Sequence, residues 1–306
     1  MRRRLLRIVR RVLPGGAVIF AGVSTVPLLT HGPAQQPAVS GALDGVPEHL
    51  EGPTDELVVM TLNLAHGRSN GFHQALQSKK KIVGNLVRVS RVIHREQPHV
   101  VAVQEADGPS LWSGQFDHVR FLAAETGFKH WARGEHVVGL RTRYGTGLLS
   151  RLPSHDPFSV TFPPSPPTLS KGFVVTTVTL PGPSNSPRHV DVVSIHLDFA
   201  RSSVRRRQIQ TLIRTLADRP NPRILMGDFN TDWLKEPSLR TLCEGLDLHA
   251  WKPEFTDTGT FLFSGKRLDW ILTSPQLRFI SRQVLPDTLS DHQAVVARLA
   301  WVHDIP

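Results

Sequence analysis

"ILMGDFNTD", residues 224–232, is the stretch on which the reading of this chain turns. The apolar run Ile224-Leu225-Met226 passes through Gly227 into Asp228-Phe229-Asn230. The run has the composition of a buried strand. In an extended chain residues i and i+2 point to the same face, so Asp228 and Asn230 are expected to address one point just past the strand end. A plain turn is the competing reading, because Asp and Asn are common turn formers.

Other strand-like runs also end in usable polar groups. "ELVVMTLNL" (56–64) reaches Asn63, and "HVVAVQE" (99–105) ends on Glu105. "RHVDVVSIHLDF" (188–199) carries His196, and "RLDWILTS" (267–274) carries Asp269. Asp291 and His292 stand at the start of the last alternating strand, "HQAVVARLAWV" (292–302). "GTGLLSR", "FSVTF" and "FVVTTVTL" read as further strands, the last two separated by the Pro-rich "PPSPPTLSKG". Residues 79–98 have helical apolar spacing at Ile82, Leu86, Val89 and Ile93 and stop at Pro98. A second helix is expected over 202–220, capped by Ser202 or Ser203, with a stripe of Ile209, Leu212, Ile213 and Leu216. Many strands with a few helices indicate a layered α/β protein with mixed or antiparallel sheets. No linker divides 57–306, which is expected to be one domain.

The first 34 residues differ in kind. Six arginines within the first eleven residues precede an acid-free apolar stretch from Val12 to Leu29. That is the layout of an export signal, with small residues around Gly32-Pro33-Ala34 or Ser40-Gly41-Ala42 for cleavage. Retention as a membrane anchor is the alternative, although Pro14, Gly15, Gly16 and Pro27 suit a full span of about 20 residues poorly. Either way the protein is expected outside the cytoplasm, periplasmic, secreted or anchored. Residues 35–56, rich in Pro, Gly and Ala, read as a linker. Without the six arginines the formal charge of +10 falls to +4, so the basic balance says little about partners. The lone Cys243 excludes an intrachain disulfide and a cysteine zinc cluster, and reads as a small buried hydrophobe.

Taken one at a time, each polar strand end has a structural explanation. Together they form a set. Asp, Glu and Asn offer hard oxygen ligands that suit Mg²⁺ or Mn²⁺ better than structural zinc. Two histidines and a separate Asp beside such a metal equip a site for in-line attack of water on a phosphodiester.

"TLNL", "VVAVQE", "GTGLLSRLP", "SIHLD", "GDFN", "RLDWIL" and "SDH" occur in this order. They resemble the endonuclease/exonuclease/phosphatase superfamily over about residues 57–302. That superfamily includes deoxyribonuclease I, abasic-site endonucleases, inositol-polyphosphate 5-phosphatases, neutral sphingomyelinases and mRNA deadenylases. The resemblance implies a four-layered α/β sandwich of two packed mixed sheets flanked by helices, with a metal site where strand ends meet. It implies that Glu105 is the main metal ligand, that Asn63 helps hold the metal and that Asp291 completes the metal side. Asp228 would orient or deprotonate the attacking water, and Asn230 would hold that water or a phosphoryl oxygen. His196 would contact the scissile phosphate. His292 would be the second phosphate-contacting or acid/base histidine, oriented by Asp269. Tyr144 stands near the position where several members place a polar aromatic group.

Substrate must be argued from the rim of the site. His66 or Arg68, just after Asn63, would contact a phosphate or head group, or else sit in a solvated Gly turn. Arg201 is the arginine of "DFARSSVRRRQ" best placed to reach the site, while Arg205, Arg206 and Arg207 read as a mostly solvated helix face. Trp112, Trp233, Phe261 and Phe263 are rim candidates for which core packing is the better reading. The primary expectation is an exported hydrolase acting on a phospholipid or other small phosphodiester, with membrane association through the N-terminus and no obligate protein partner. A secreted or envelope nuclease acting on nucleic acid is the alternative. A non-catalytic binding module fits poorly, since Glu105, Asp228 and His292 are all present. A basic groove beside His196 would favour the nuclease. An apolar loop near the site, such as Phe158–Thr168 or Phe261–Gly265, would favour lipid.

Overall fold

Alternation along the strands builds the architecture. In the strand Glu56–Asn63 (β3), Val58, Met60 and Leu62 point to one hydrophobic cluster, and Leu57 and Val59 to another. Each central strand is buried on both faces in this way, so its sheet must be covered twice. The computed structural model describes residues 33–47, 56–71, 77–139, 141–181, 186–255 and 259–302.

Two seven-stranded sheets result. The first runs β1 (Ala34–Pro37), β7 (Ser154–Thr161), β8 (Gly172–Leu180), β9 (Arg188–His196), β10 (Arg223–Asp228), β12 (Asp269–Thr273), β11 (His249–Ala250). The second runs β13 (Leu277–Val284), β14 (Val295–Trp301), β3, β4 (Val100–Asp107), β6 (Arg143–Ser150), β5 (His130–Val138), β2 (Val39–Ala42). Both are mixed: β9 pairs with β10 in parallel, as does β3 with β4, and the other pairs are antiparallel. The cluster of Leu57, Val59, Val192, Ile224 and Met226 fills the space between the sheets. Helices α1 (Lys79–Glu96) and α2 (His118–Thr126) cover the outer face of the second sheet, and α3 (Ser202–Leu216) and α4 (Ser238–Leu246) that of the first. This is the four-layered sandwich that the motifs imply. Cys243, on α4, faces the outer core shared with α3.

Helix α1 starts where Ser78 accepts a hydrogen bond from the Lys81 amide and ends at a left-handed Gln97 before Pro98. Helix α3 departs from expectation. Arg201 holds its cap position without a side-chain cap, and Ser202 and Ser203 fall inside the helix. The Asp198 carboxylate instead accepts from the Ala200 and Arg201 amides just ahead of it. The expected linker over 35–56 is likewise not free chain throughout. Ala34–Pro37 pairs with β7 and Val39–Ala42 with β5, adding one edge strand to each sheet. The expected signal or anchor segment lies outside the described residues, apart from Pro33 and Ala34. Among the described residues no helix is long and apolar enough to cross a membrane.

Candidate active site

The site is the end of the layer between the sheets. On β10 the inward series is Ile224, Met226, Asp228, and on β9 it is Val190, Val192, Ser194, His196. On β3 it is Leu57, Val59, Thr61, Asn63, and on β12 Ile271 shares its face with Asp269. The period of two that buries Val and Ile lower down delivers polar groups from both sheets to one spot. Below it a buried polar layer closes the core: Gln104 donates to Ser194 Oγ at 3.1 Å, and Ser194 donates to the Val103 carbonyl.

Glu105 reaches the site by another route. The β4–β6 register slips between Gln104 and Ala106, and Glu105 sits in the bulge with φ of 48°. A bulge turns a side chain out of strand alternation, so Glu105 joins Gln104 on the same side. Ala65 and His66, at φ of 46° and 58°, form a second left-handed turn that aims His66 back at β4. His66 Nε2 is 3.3 Å from Glu105 Oε2, and its Nδ1 is 2.7 Å from Asp107 Oδ1. Left-handed non-glycine residues cost roughly 1–3 kcal/mol each and concentrate at functional sites.

Across the sheets, Asn63 Nδ2 donates to Asp228 Oδ2 at 3.0 Å. The same oxygen lies 3.5 Å from His196 Nε2 and 3.7 Å from His292 Nε2. His292 Nδ1 is 2.8 Å from Asp269 Oδ2. Lys171, buried at the start of β8, places Nζ 3.3 Å from His196 Nδ1 and 3.5 Å from Glu105 Oε1. An ammonium group only donates, so His196 accepts at Nδ1 and carries its proton on Nε2, facing Asp228 and Glu105.

These neighbours divide the titrations. Burial works against the Glu105 carboxylate, but the charges of His66 and Lys171 outweigh it and hold its pKa far below the usual range. Burial, reinforced by Lys171, keeps His196 neutral. Burial opposes charge on His292 too, yet Asp269 and Asp228 overcome it and push the imidazole up to about 10. Burial pushes Asp228 up to about 7, with Asp269 adding to the effect and His292 opposing it. A carboxyl poised near neutrality beside a cationic imidazole has the pKa ordering of a base and an acid.

The donor set fits a hard divalent cation. Asp228, Asp269 and His292 hold ligand atoms within 4.8 Å of one another, but a cationic His292 cannot ligate, so the ion would fall to the hard oxygens of Glu105 and Asn63 on the facing sheet. Glu105 is the more open carboxylate, its side chain 19% exposed.

Several expected residues are engaged within the protein. Asn230 has φ of 50°, its amide donates to Asp228 Oδ1 and its Nδ2 donates to the Leu197 carbonyl. Strand alternation therefore ends at Asp228, and Asn230 closes a turn that fixes it. Gly227, at φ of 147°, permits this exit, and any Cβ there would collide with the Ile195 carbonyl. Arg201 sends its guanidinium to the Ser165 carbonyl at 2.6 Å, because its cap position on α3 faces the β7–β8 loop. Asp291 Oδ2 accepts a hydrogen bond from the Arg68 guanidinium at 2.6 Å. Tyr144 is buried behind His66, edge-on at 4.7 Å, and burial with Glu105 and Asp107 raises its pKa. Trp112 stacks on His66 at 5.4 Å, which puts it at the site and not only in packing. The sequence reading overlooked Lys171 and Asp107. A lone Lys at the head of an apolar strand and an acid two residues after Glu105 were the available signals.

The model of the Endonuclease/Exonuclease/phosphatase family matches residues 60–292, which span every strand end that builds the site. The chain belongs to this family. Solved structures agree in fold. An endonuclease/exonuclease/phosphatase from Beutenbergia cavernae is 23% identical, with a TM-score of 0.60 over 80% of this chain and 72% of that one. A mannosyl-6-phosphatase from Bacteroides thetaiotaomicron is 14% identical, with a TM-score of 0.58 over 80% of this chain and all of that one. The human Nocturnin catalytic domain with bound sulfate is 19% identical, with a TM-score of 0.57 over 87% and 99%. No curated protein sequence matches the chain significantly. Enzymes of the endonuclease/exonuclease/phosphatase family hydrolyse phosphoester bonds and generally use divalent metals.

Proposed function

We propose that this chain is an exported, Mg²⁺- or Mn²⁺-dependent phosphodiesterase that cleaves the head-group bond of a phospholipid or similar amphiphile by in-line attack of water. The observation that carries the substrate is the apolar rim. Phe261 packs its ring 4.9 Å from that of His292, and its neighbours Leu262 and Phe263 are exposed, Phe263 at 63%. Exposed Leu169 and Phe199 flank the Thr168–Asp198 hydrogen bond on the loops beside Lys171 and His196. Clustered exposed apolar side chains mark a surface meant to be covered. The arginines nearest His196 in sequence are engaged instead with protein: Arg201 with Ser165 and Arg205 with Glu236.

Glu105 and Asn63 would hold the metal, which supplies charge neutralisation for the phosphoryl group when bound. Asp228, near neutrality, accepts the proton of the attacking water. His196 donates from Nε2 to a phosphoryl oxygen, and Lys171 holds that tautomer. Cationic His292, oriented by Asp269, donates from Nε2 to a phosphoryl oxygen as charge develops there, and the leaving alkoxide takes its proton from solvent as the P–O bond breaks. The Arg-rich, apolar N-terminal sequence supports export.

The test is a substrate comparison. Purified protein with Mg²⁺ is given a short-chain phospholipid above and below its micelle concentration, and supercoiled plasmid. The reading expects phospholipid cleavage that rises when micelles form. Plasmid nicking without phospholipid cleavage would overturn it in favour of the nuclease.

A further inference from the structure

The arginine run after His196 splits in the fold. Arg205 turns inward, to Glu236 at 2.7 Å through Nε and to the Asp198 carbonyl at 2.8 Å. Arg206 and Arg207 are exposed and line a groove of about 780 Å³ along α3, remote in composition from the Asp228 cluster, which contributes nothing to it. Arg214 joins them. It lies seven residues after Arg207, hence on nearly the same side of the helix. Phe162, Pro163 and Pro164 of the β7–β8 loop line the groove as well.

Two features suit the groove to an anionic ligand. No acidic side chain is among the described residues lining the groove, and Arg206 and Arg207 have no ion-pair partner among the described residues. Three guanidinium groups sharing a concave wall without counter-charge concentrate positive potential there. Arginine also binds phosphate oxygens through its planar fork. The surroundings favour a lipid surface over a free anion. The β7–β8 loop that lines the groove continues to exposed Leu169, and the turn into α3 carries exposed Phe199. Basic and apolar groups thus meet at one edge of the molecule.

We propose that the α3 groove docks the phosphate head groups of an anionic lipid surface, separately from the bond that is cleaved. The inference takes its lipid surface from the function proposed above. Docking there would hold the rim of Leu169 and Phe199 against the bilayer while substrate enters from the same side.

Arginine footprinting on the full chain tests this. The protein is treated with phenylglyoxal in buffer, with phosphatidylcholine vesicles, with vesicles containing phosphatidylglycerol, with inorganic phosphate and with a single-stranded oligonucleotide. Modified residues are read by mass spectrometry. Phosphatidylglycerol vesicles are expected to protect Arg206, Arg207 and Arg214 and to leave Arg298, in the other sheet, reactive. The triple variant with these three arginines changed to Ala is expected to bind such vesicles more weakly, by about fivefold per arginine and on the order of a hundredfold in all. Equal reactivity of the three arginines with and without anionic vesicles would overturn the proposal. So would protection by phosphate alone, or by the oligonucleotide and not by vesicles. Vesicle protection without phospholipid hydrolysis would keep the docking site and remove the proposed substrate.

Discussion

Asp228 is held in the fold at a cost, and replacing it with Asn should make the protein more stable and inactive. Its carboxyl ordinarily ionises at 3.8 and is pushed up to about 7 here, first by burial. The folded state thus favours the protonated form. Below pH 3.8 both states are protonated and there is no penalty. Between 3.8 and 7 the penalty grows, and above 7 it stays at its full size. At 1.36 kcal/mol per tenfold, an upper bound is about 4 kcal/mol at pH 8. Asn keeps the shape and can accept from the Asn230 amide. It sets an amide donor against Asn63 Nδ2, however, which takes back about 1–3 kcal/mol. The net gain is about 2 kcal/mol, or a rise in Tm of roughly 3 °C for a chain of this size. Thermal unfolding of wild type and Asp228→Asn in EDTA at pH 8 and pH 4 measures it. The gain should be present at pH 8 and much reduced at pH 4. A variant less stable than wild type at pH 8 would refute the argument.

Three further outcomes follow from the same geometry. Asp269→Asn should drop the His292 titration from about 10 toward or below its ordinary 6.5, read from the imidazole ¹⁵N shifts; an unchanged titration would remove Asp269 as its cause. Charged His292 stabilises the fold fully below pH 6.5, and that contribution fades as pH rises through about 10, so alkaline destabilisation should be smaller in this variant. Lys171→Met should slow turnover by about 10- to 100-fold, the worth of a hydrogen bond to a charged group, and should raise the His196 pKa by removing a neighbouring cation; neither should change if Lys171 only fills space. Gly227→Ala should cost at least about 3 kcal/mol in urea unfolding, because its Cβ meets the Ile195 carbonyl, and a near-neutral result would mean β10 exits by another path.

What the sequence made legible follows strand alternation. Asn63, His196 and Asp228 end apolar runs with the correct parity to face the partner sheet, and Asp269 opens such a run. Parity fails where backbone leaves the extended region. The left-handed Glu105 and Asn230 illustrate both directions: a bulge brings Glu105 in, and a turn takes Asn230 out of alternation. Proximity in sequence to His196 suggests Arg201 for the site, but the helix start at Ser202 points it to Ser165. Lys171 and Asp107 acquire their meaning from neighbours distant in sequence, His196 and His66, so the weak local signals they carry assign no role by themselves. The edge strands "AQQP" and "VSGA" carry no apolar alternation and are defined by the strands they join.

Under the proposed function, the end of the intersheet layer hydrolyses phosphodiesters with a divalent metal. The most direct measurement is the rate of hydrolysis of a small activated phosphodiester by wild type and by folded Asp228→Ala, each with EDTA and with Mg²⁺ or Mn²⁺ restored. Wild type should be active only with metal, and Asp228→Ala should lose at least about 10²-fold, the scale for a positioned acid/base group. Metal-independent turnover, or full activity in the folded variant, would contradict the account.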